Sequence, residues 1–260
     1  MQRMIRSLVA CAIAVVAARV APAQSPLPAS GTEVFARMRT AFGDGWYKTL
    51  TFTQTTTIRM RDGRDTVQTW FETLCFSPDR GTQLRIDVAP LSAGNAAIST
   101  WDSTWVIRGD TLAAVRASGN PFLPLIEGAY LQPAERTARD VGPWGIDLSK
   151  VRSATWNGRR AWVVGTTTEG DSTSAQFWVE IERLVVVRMV LAGPAGRPPL
   201  DVRLDNFEKV GKGWLATRVE MLQGGQRRQL EEYHDWKGDV AIDPLLFDAK
   251  SGGKARHWAR

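Results

Sequence analysis

The chain has 260 residues, with 33 basic and 27 acidic side chains but only two histidines and two cysteines. Those counts exclude a zinc site built from several histidines and a multi-bridge disulfide framework. The charge excess is mild and no basic block is interleaved with aromatics, which argues against a nucleic-acid partner.

Residues 1–23 have the layout of a secretory leader. Arg3 and Arg6 form a positive start, Leu8 to Ala18 a short apolar run, and Ala21-Pro22-Ala23 a small-residue cleavage site before Gln24. The run is too short to span a bilayer. A competing reading is the lipobox-like Leu8-Val9-Ala10-Cys11, which would anchor the chain through a lipid on Cys11. Only four residues separate Arg6 from Cys11, however, so export with cleavage at Ala23/Gln24 into the periplasm is the stronger expectation. Removing Arg3, Arg6 and Arg19 leaves 30 basic against 27 acidic residues, a net charge of +3. Cys75 then stands alone in an oxidising compartment, so the fold must rest on its core.

Ser30 and Glu33 have capping-box spacing, Val34, Phe35, Met38, Ala41 and Phe42 share one helical stripe, and Gly43 can close the helix. From Thr49 the period changes to two. Leu50, Phe52, Thr56 and Ile58 fall on one face, threonines on the other, and Asp62-Gly63 turns the chain into Thr66 to Phe76. Gly81 opens a third strand, followed by 96–101, 104–108 and 112–116. Between 120 and 150 the pattern breaks, with an apolar patch at Phe122-Leu-Pro-Leu-Ile126 and a helix predicted from Pro133 to Val141. Strands resume at 153–157, 160–167, 176–181, 184–191, 200–207, 214–222 and 229–236. Gly252-Gly253 and the basic residues after it read as a disordered tail over 251–260. Short strands at regular spacing imply a mainly β chain (α+β), an antiparallel sandwich or barrel, in one domain over 24–250.

Catalytic constellations are missing. There is no G-x-S-x-G elbow, phosphate loop or paired-cysteine motif. His234 and Asp235 are strand neighbours that point to opposite faces, and Cys75 has no activating base beside it. No cofactor and no metal is expected, and the chain does not read as an enzyme. Tryptophan is the residue in excess, with eleven copies. Trp70 is in phase with Leu74 and Phe76 while Phe71 and Val67 point the other way. Leu184 to Leu191 is apolar on both faces except for Arg188. Strands apolar on both sides must be covered twice.

Four segments together resemble the LolA-type lipoprotein-sorting superfamily, which includes LppX-like lipid-binding proteins. They are Leu50-Thr-Phe52-Thr-Gln54; the stretch from Trp70 through Ser77-Pro78 and Leu84-Arg-Ile86-Asp87 to Trp101-Asp-Ser-Thr-Trp105-Val106; Phe177-Trp-Val-Glu180-Ile-Glu182-Arg-Leu184; and Asp243-Pro-Leu-Leu-Phe247-Asp248. The resemblance implies an open antiparallel half-barrel with an N-terminal helix and a helical lid drawn from Phe122 to Val141. It also implies a non-catalytic, monomeric envelope carrier for an acylated lipoprotein or lipid, exchanging its cargo with inner- or outer-membrane partners. The alternative within the same fold is an envelope sensor or scaffold that binds protein. Strand phase nominates Phe52, Trp70, Leu84, Ile86, Trp105, Trp178 and Val186 as cavity-lining residues, and the lid would add Phe122, Leu125 and Ile126. One departure is visible: the carrier has an arginine before the proline of the second-strand motif, where it bonds the lid, whereas here Ser77 precedes Pro78 and the nearest arginine is Arg80.

Overall fold

The computed structural model describes residues 26–193, 196–251 and 253–259. The expected leader over 1–23, with Cys11 inside it, lies outside them. A first meander contains β1 (Thr49–Arg59), β2 (Asp65–Ser77), β3 (Gly81–Val88), β4 (Ala96–Ser99), β5 (Thr104–Arg108) and β6 (Thr111–Arg116). A second contains β7 (Val151–Trp156), β8 (Arg159–Val164), β9 (Gln176–Glu180), β10 (Val185–Leu191), β11 (Leu200–Val210), β12 (Gly213–Gln223) and β13 (Gln226–Gly238). All thirteen belong to one antiparallel sheet in the order β6-β5-β4-β3-β2-β1-β13-β12-β11-β10-β9-β8-β7. Each meander is a run of hairpins, and only the β1–β13 pair joins them. The sheet does not close, so the half-barrel expectation holds rather than the sandwich.

This order dictates what the connection from β6 to β7 does. Those strands are opposite edges, so residues 117–150 must cross a face of the sheet, and their apolar side chains select which. One helix, α1 (Gly31–Phe42), precedes the sheet, and the crossing segment holds a π-helical turn at Pro124–Gly128, the short helix α2 (Ala129–Leu131) and α3 (Ala134–Val141). Leu123, Leu125, Ala129, Tyr130 and Val141 are buried beneath it.

The predicted cap of α1 is present. Ser30 Oγ accepts from the Glu33 N–H, the Glu33 carboxylate accepts from the Ala29 N–H, and Gly43 leaves the helix at φ +49°. Val34, Phe35 and Met38 cover the inner face of the second meander. There Phe35 stacks on Phe177 with ring centroids 5.2 Å apart. Trp162, Val164, Val179, Val186 and Met189 complete that core.

The doubly apolar strands are covered on their outer face by side chains instead of a second layer. Ala161, Val163, Trp178, Val185 and Val187 form a cluster there with Trp156. The Arg188 guanidinium lies 5.2 Å from the Trp156 ring and 5.3 Å from Trp178, and its charge is paired with Asp201 at 2.7 Å. Cationic stems thus cap aromatic faces.

The C-terminal stretch overturns the expectation of a disordered tail. His257 is buried, its Nε2 3.3 Å from Asp87, and Trp258 Nε1 donates to Thr73 Oγ1. Asp87 also receives the Arg85 guanidinium, whose other nitrogen reaches the Leu246 carbonyl. Burial alone would raise the Asp87 carboxyl; the hydrogen bonds from His257 and Arg85 outweigh it and hold the pKa below the usual range. It is His257 and Trp258 that dock the segment on the outer face of β2 and β3. Cys75, on the same outer phase, is half-buried, and burial pushes its thiol up.

Candidate functional site

The inner face around the β1–β13 seam is built by alternation. β1 presents Leu50, Phe52, Gln54 and Thr56 inward, and Phe52 lies opposite Glu72 while Gln54 lies opposite Trp70. On the other side Gln54 faces Tyr233 and Thr56 faces Glu231. β3 sets Ile86 opposite Glu72 and Leu84 opposite Leu74. Above this floor runs the start of the crossing segment, where Phe122, Ile126 and Glu127 point down.

Between floor and roof is a cavity of about 240 Å³. Its apolar walls are Phe52, Trp70, Leu74, Leu84, Ile86, Phe122, Leu123, Ile126, Leu215 and Met221; its polar groups are Glu72, Asn120, Glu127, Gln229, Glu231 and Tyr233. A second space of about 50 Å³ extends under the crossing segment towards β10–β12, lined by Val186, Leu204 and Trp214 among others. Ile126, Glu127, Leu215 and Tyr233 border both. The π-helical turn therefore acts as a partition, and π-helical insertions are frequent at functional sites.

Three carboxyl groups are buried in this region. Glu127 accepts from Trp46 Nε1 at 2.7 Å and from Tyr47 Oη at 2.8 Å. Burial pushes its pKa up to about 8, and the two hydrogen bonds only partly oppose that rise. Tyr47 also lies 3.2 Å from the Trp214 carbonyl. A protonated Glu127 can thus donate to Tyr47, which in turn donates to Trp214. Trp46 is fixed further by stacking on Tyr130, centroids 3.5 Å apart. Glu231 accepts from Gln229 Nε2 at 2.6 Å and Tyr233 Oη at 2.7 Å. Burial raises its pKa against those bonds. Glu72 is raised well above the carboxylate range, first by burial and then by the neighbouring Glu231.

The structure brings together Phe52, Trp70, Leu84, Ile86, Phe122 and Ile126 in the larger cavity and places Val186 in the smaller one. Leu125 is buried in the core and lines neither. Trp178 and Trp105 require correction. Val186 pairs with Val179, so Trp178, one residue away, faces outward among the arginines. Trp105 pairs with Ile98, which pairs with Arg85, all on the outer face. There it lines an open groove of about 650 Å³ with Phe247 and the charged Asp79, Arg80, Asp102 and Lys250. Glu72, Glu127, Glu231 and Tyr233 were not anticipated. The available signal was phase: Glu72 interrupts the apolar series Trp70, Leu74, Phe76, and Glu231 shares the phase of Tyr233.

No protein-family model and no curated protein matches the chain. Solved structures do. A domain assigned to outer membrane lipoprotein sorting from Vibrio parahaemolyticus superposes with a TM-score of 0.56 at 12% identity, over 85% of this chain and 98% of that one. A DUF1329 family protein from Desulfovibrio piger gives 0.56 at 14% identity, over 84% and 95%.

The fold is LolA-like.

A LolA superfamily protein from Nitrosomonas europaea gives 0.50 at 11% identity, over 84% of this chain and 98% of that one. Arg136, on α3, donates from Nη1 to the Pro78 carbonyl and from Nη2 to the Asp79 carbonyl at 3.3 Å. The crossing segment is thereby tied to the β2–β3 turn. Among the described residues no helix is long and apolar enough to cross a membrane, and no three or more His, Cys, Asp and Glu side chains group as a metal site.

Proposed function

We propose that this protein is a non-catalytic carrier of the cell envelope that holds an acyl chain of a lipoprotein or lipid in the chamber under the crossing segment. The observation that carries the reading is an apolar-walled cavity of about 240 Å³ between the inner face of the sheet and a π-helical roof. Each methylene taken from water contributes about 0.8 kcal/mol, so a chain is retained by burial alone. The volume lies just under the roughly 300–1,000 Å³ usual for small-molecule sites. A long chain therefore enters fully only when Ile126 and Glu127 shift and open the chamber into the adjoining space beneath Tyr130 and Trp214. The fold shared with a lipoprotein-sorting domain supports the reading, as does the secretory layout of residues 1–23.

Lipid extraction of natively purified protein followed by mass spectrometry tests it. The expected result is a co-purifying acylated molecule, with tryptophan quenching and a raised Tm when it is added back to stripped protein. If no acylated compound changes either signal, the carrier reading is wrong.

A further inference from the structure

The chamber differs in charge from the rest of the molecule. The chain carries more basic than acidic residues, yet Glu72, Glu127 and Glu231 line the chamber and, among the described residues, no lysine, arginine or histidine does. Two of the three are satisfied internally: Glu127 by Trp46 and Tyr47, Glu231 by Gln229 and Tyr233. Glu72 is not. It is 5% exposed, it lines the cavity, and it has no hydrogen-bond or ion-pair partner among the described residues. Buried carboxyl groups are ordinarily hydrogen-bonded or paired.

The chamber thus leaves one carboxyl without a partner, and its chemistry specifies which kind of group would pair with it. Glu231 is close enough to Glu72 for the two to repel. A single positive charge seated beside both relieves burial and repulsion together. Burial favours the neutral form of Glu72 in the empty chamber; an ammonium offsets that cost and lets the carboxyl ionise, whereas a hydroxyl brings no compensating charge and a carboxylate would add a negative one. Phe52, Trp70, Phe122 and Tyr233 surround the same space, and aromatic faces attract cations.

We propose that the chamber selects an amphiphile whose buried polar group is an amine, held as an ammonium against Glu72 and Glu231 with its alkyl chain along the apolar walls. The inference rests on the chamber being the ligand site. It adds the headgroup class, which burial of an acyl chain leaves open.

Binding of decylamine, decanol and decanoate to the stripped full chain at pH 7 tests it, read by tryptophan fluorescence and calorimetry. An alkylamine is cationic there, as a lysine side chain is. Decylamine is expected to bind at least about tenfold more tightly than decanoate, the factor equivalent to one pKa unit on one carboxyl. In Glu72→Gln and in Glu72→Gln/Glu231→Gln the ratio of decylamine to decanoate affinity should fall to about one. Unchanged circular dichroism and cooperative thermal unfolding establish that the variants fold. Decanoate binding as tightly as decylamine, or an amine preference that survives the double substitution, overturns the inference and leaves the carrier reading standing. If none of the three binds, both fall.

Discussion

The two wings of the sheet share one strand pattern and end in opposite states. Under α1, the inner face of β8–β11 is largely filled: Trp162, Val164, Phe177, Val179, Met189 and Val202 pack with Val34, Phe35 and Met38, and a space of only about 50 Å³ remains at its edge beside Val186. On the other wing, β1–β3 and β13 offer Phe52, Trp70, Leu84 and Ile86 to the same side, and a chamber remains. The roof explains the difference. A three-turn helix lays a continuous apolar stripe into the first wing, whereas the second is spanned by a single π-helical turn that sends down Phe122, Ile126 and Glu127. The floor contributes too, because Gln54, Thr56, Glu72 and Glu231 occupy inward positions that are apolar on the other wing. Empty volume arises where the covering element is too thin and the floor too polar to collapse onto it.

Substitutions can break or sharpen this contrast. Phe177→Ala, in the filled wing, is expected to lower stability by about 3–5 kcal/mol in urea titrations. Phe122→Ala, at the half-buried chamber roof, should cost no more than roughly 2 kcal/mol, since its side chain already borders empty space. Equal losses would show that the wings are packed alike.

The next effect is on pH dependence. The Glu127 carboxyl is raised from 4.5 to about 8 in the folded chain. The folded state therefore binds its proton more tightly than the unfolded state does. That contribution is fully present below pH 4.5, is lost as pH rises towards 8, and is constant above it. Its size is on the order of a few kcal/mol. Glu127→Gln, which can still accept from Trp46 and donate to Tyr47, should flatten the stability–pH curve across that window. An unchanged slope would mean that Glu127 is not the group titrating.

On the outer side of the chamber wing, Trp258→Ala removes the hydrogen bond to Thr73 and the edge contact with Phe71. A loss of about 1–2 kcal/mol is expected, with faster hydrogen exchange in β2 and β3 and none in β9 or β10. The smallest effect belongs to the roof's tether. Arg136→Ala should cost roughly 0.5–1 kcal/mol and speed exchange over 122–141 while leaving α1 protected. Acceleration in α1 as well would indicate that the roof and the helix open as one unit.

Much of the architecture was legible in the residues because its causes are local. Alternation, short apolar runs and turn residues mark the thirteen strands, Ser30, Glu33 and Gly43 bound α1, and phase within each strand nominates Phe52, Trp70, Leu84 and Ile86. Phase within a strand does not say which face of the next strand is its equivalent. That depends on register, and register is a pairing between distant residues. Phase alone points Trp178 and Trp105 inward for this reason, and the Val179–Val186 and Ile98–Trp105 pairs turn them outward. The basic C-terminus read as disordered because its partners Asp87 and Thr73 lie about 170 to 185 residues away in sequence.

The sequence by itself determined the elements, their amphipathic faces and the presence of more oily surface than one sheet face can hide. Only the tertiary structure decided where space would be left. The meeting of Glu72 on β2, Glu231 on β13 and Glu127 on the roof is set by the seam between β1 and β13 and by a connection forced to run from one edge of an open sheet to the other. No local preference encodes that meeting, because burial and charge repulsion act only once distant strands have been brought together.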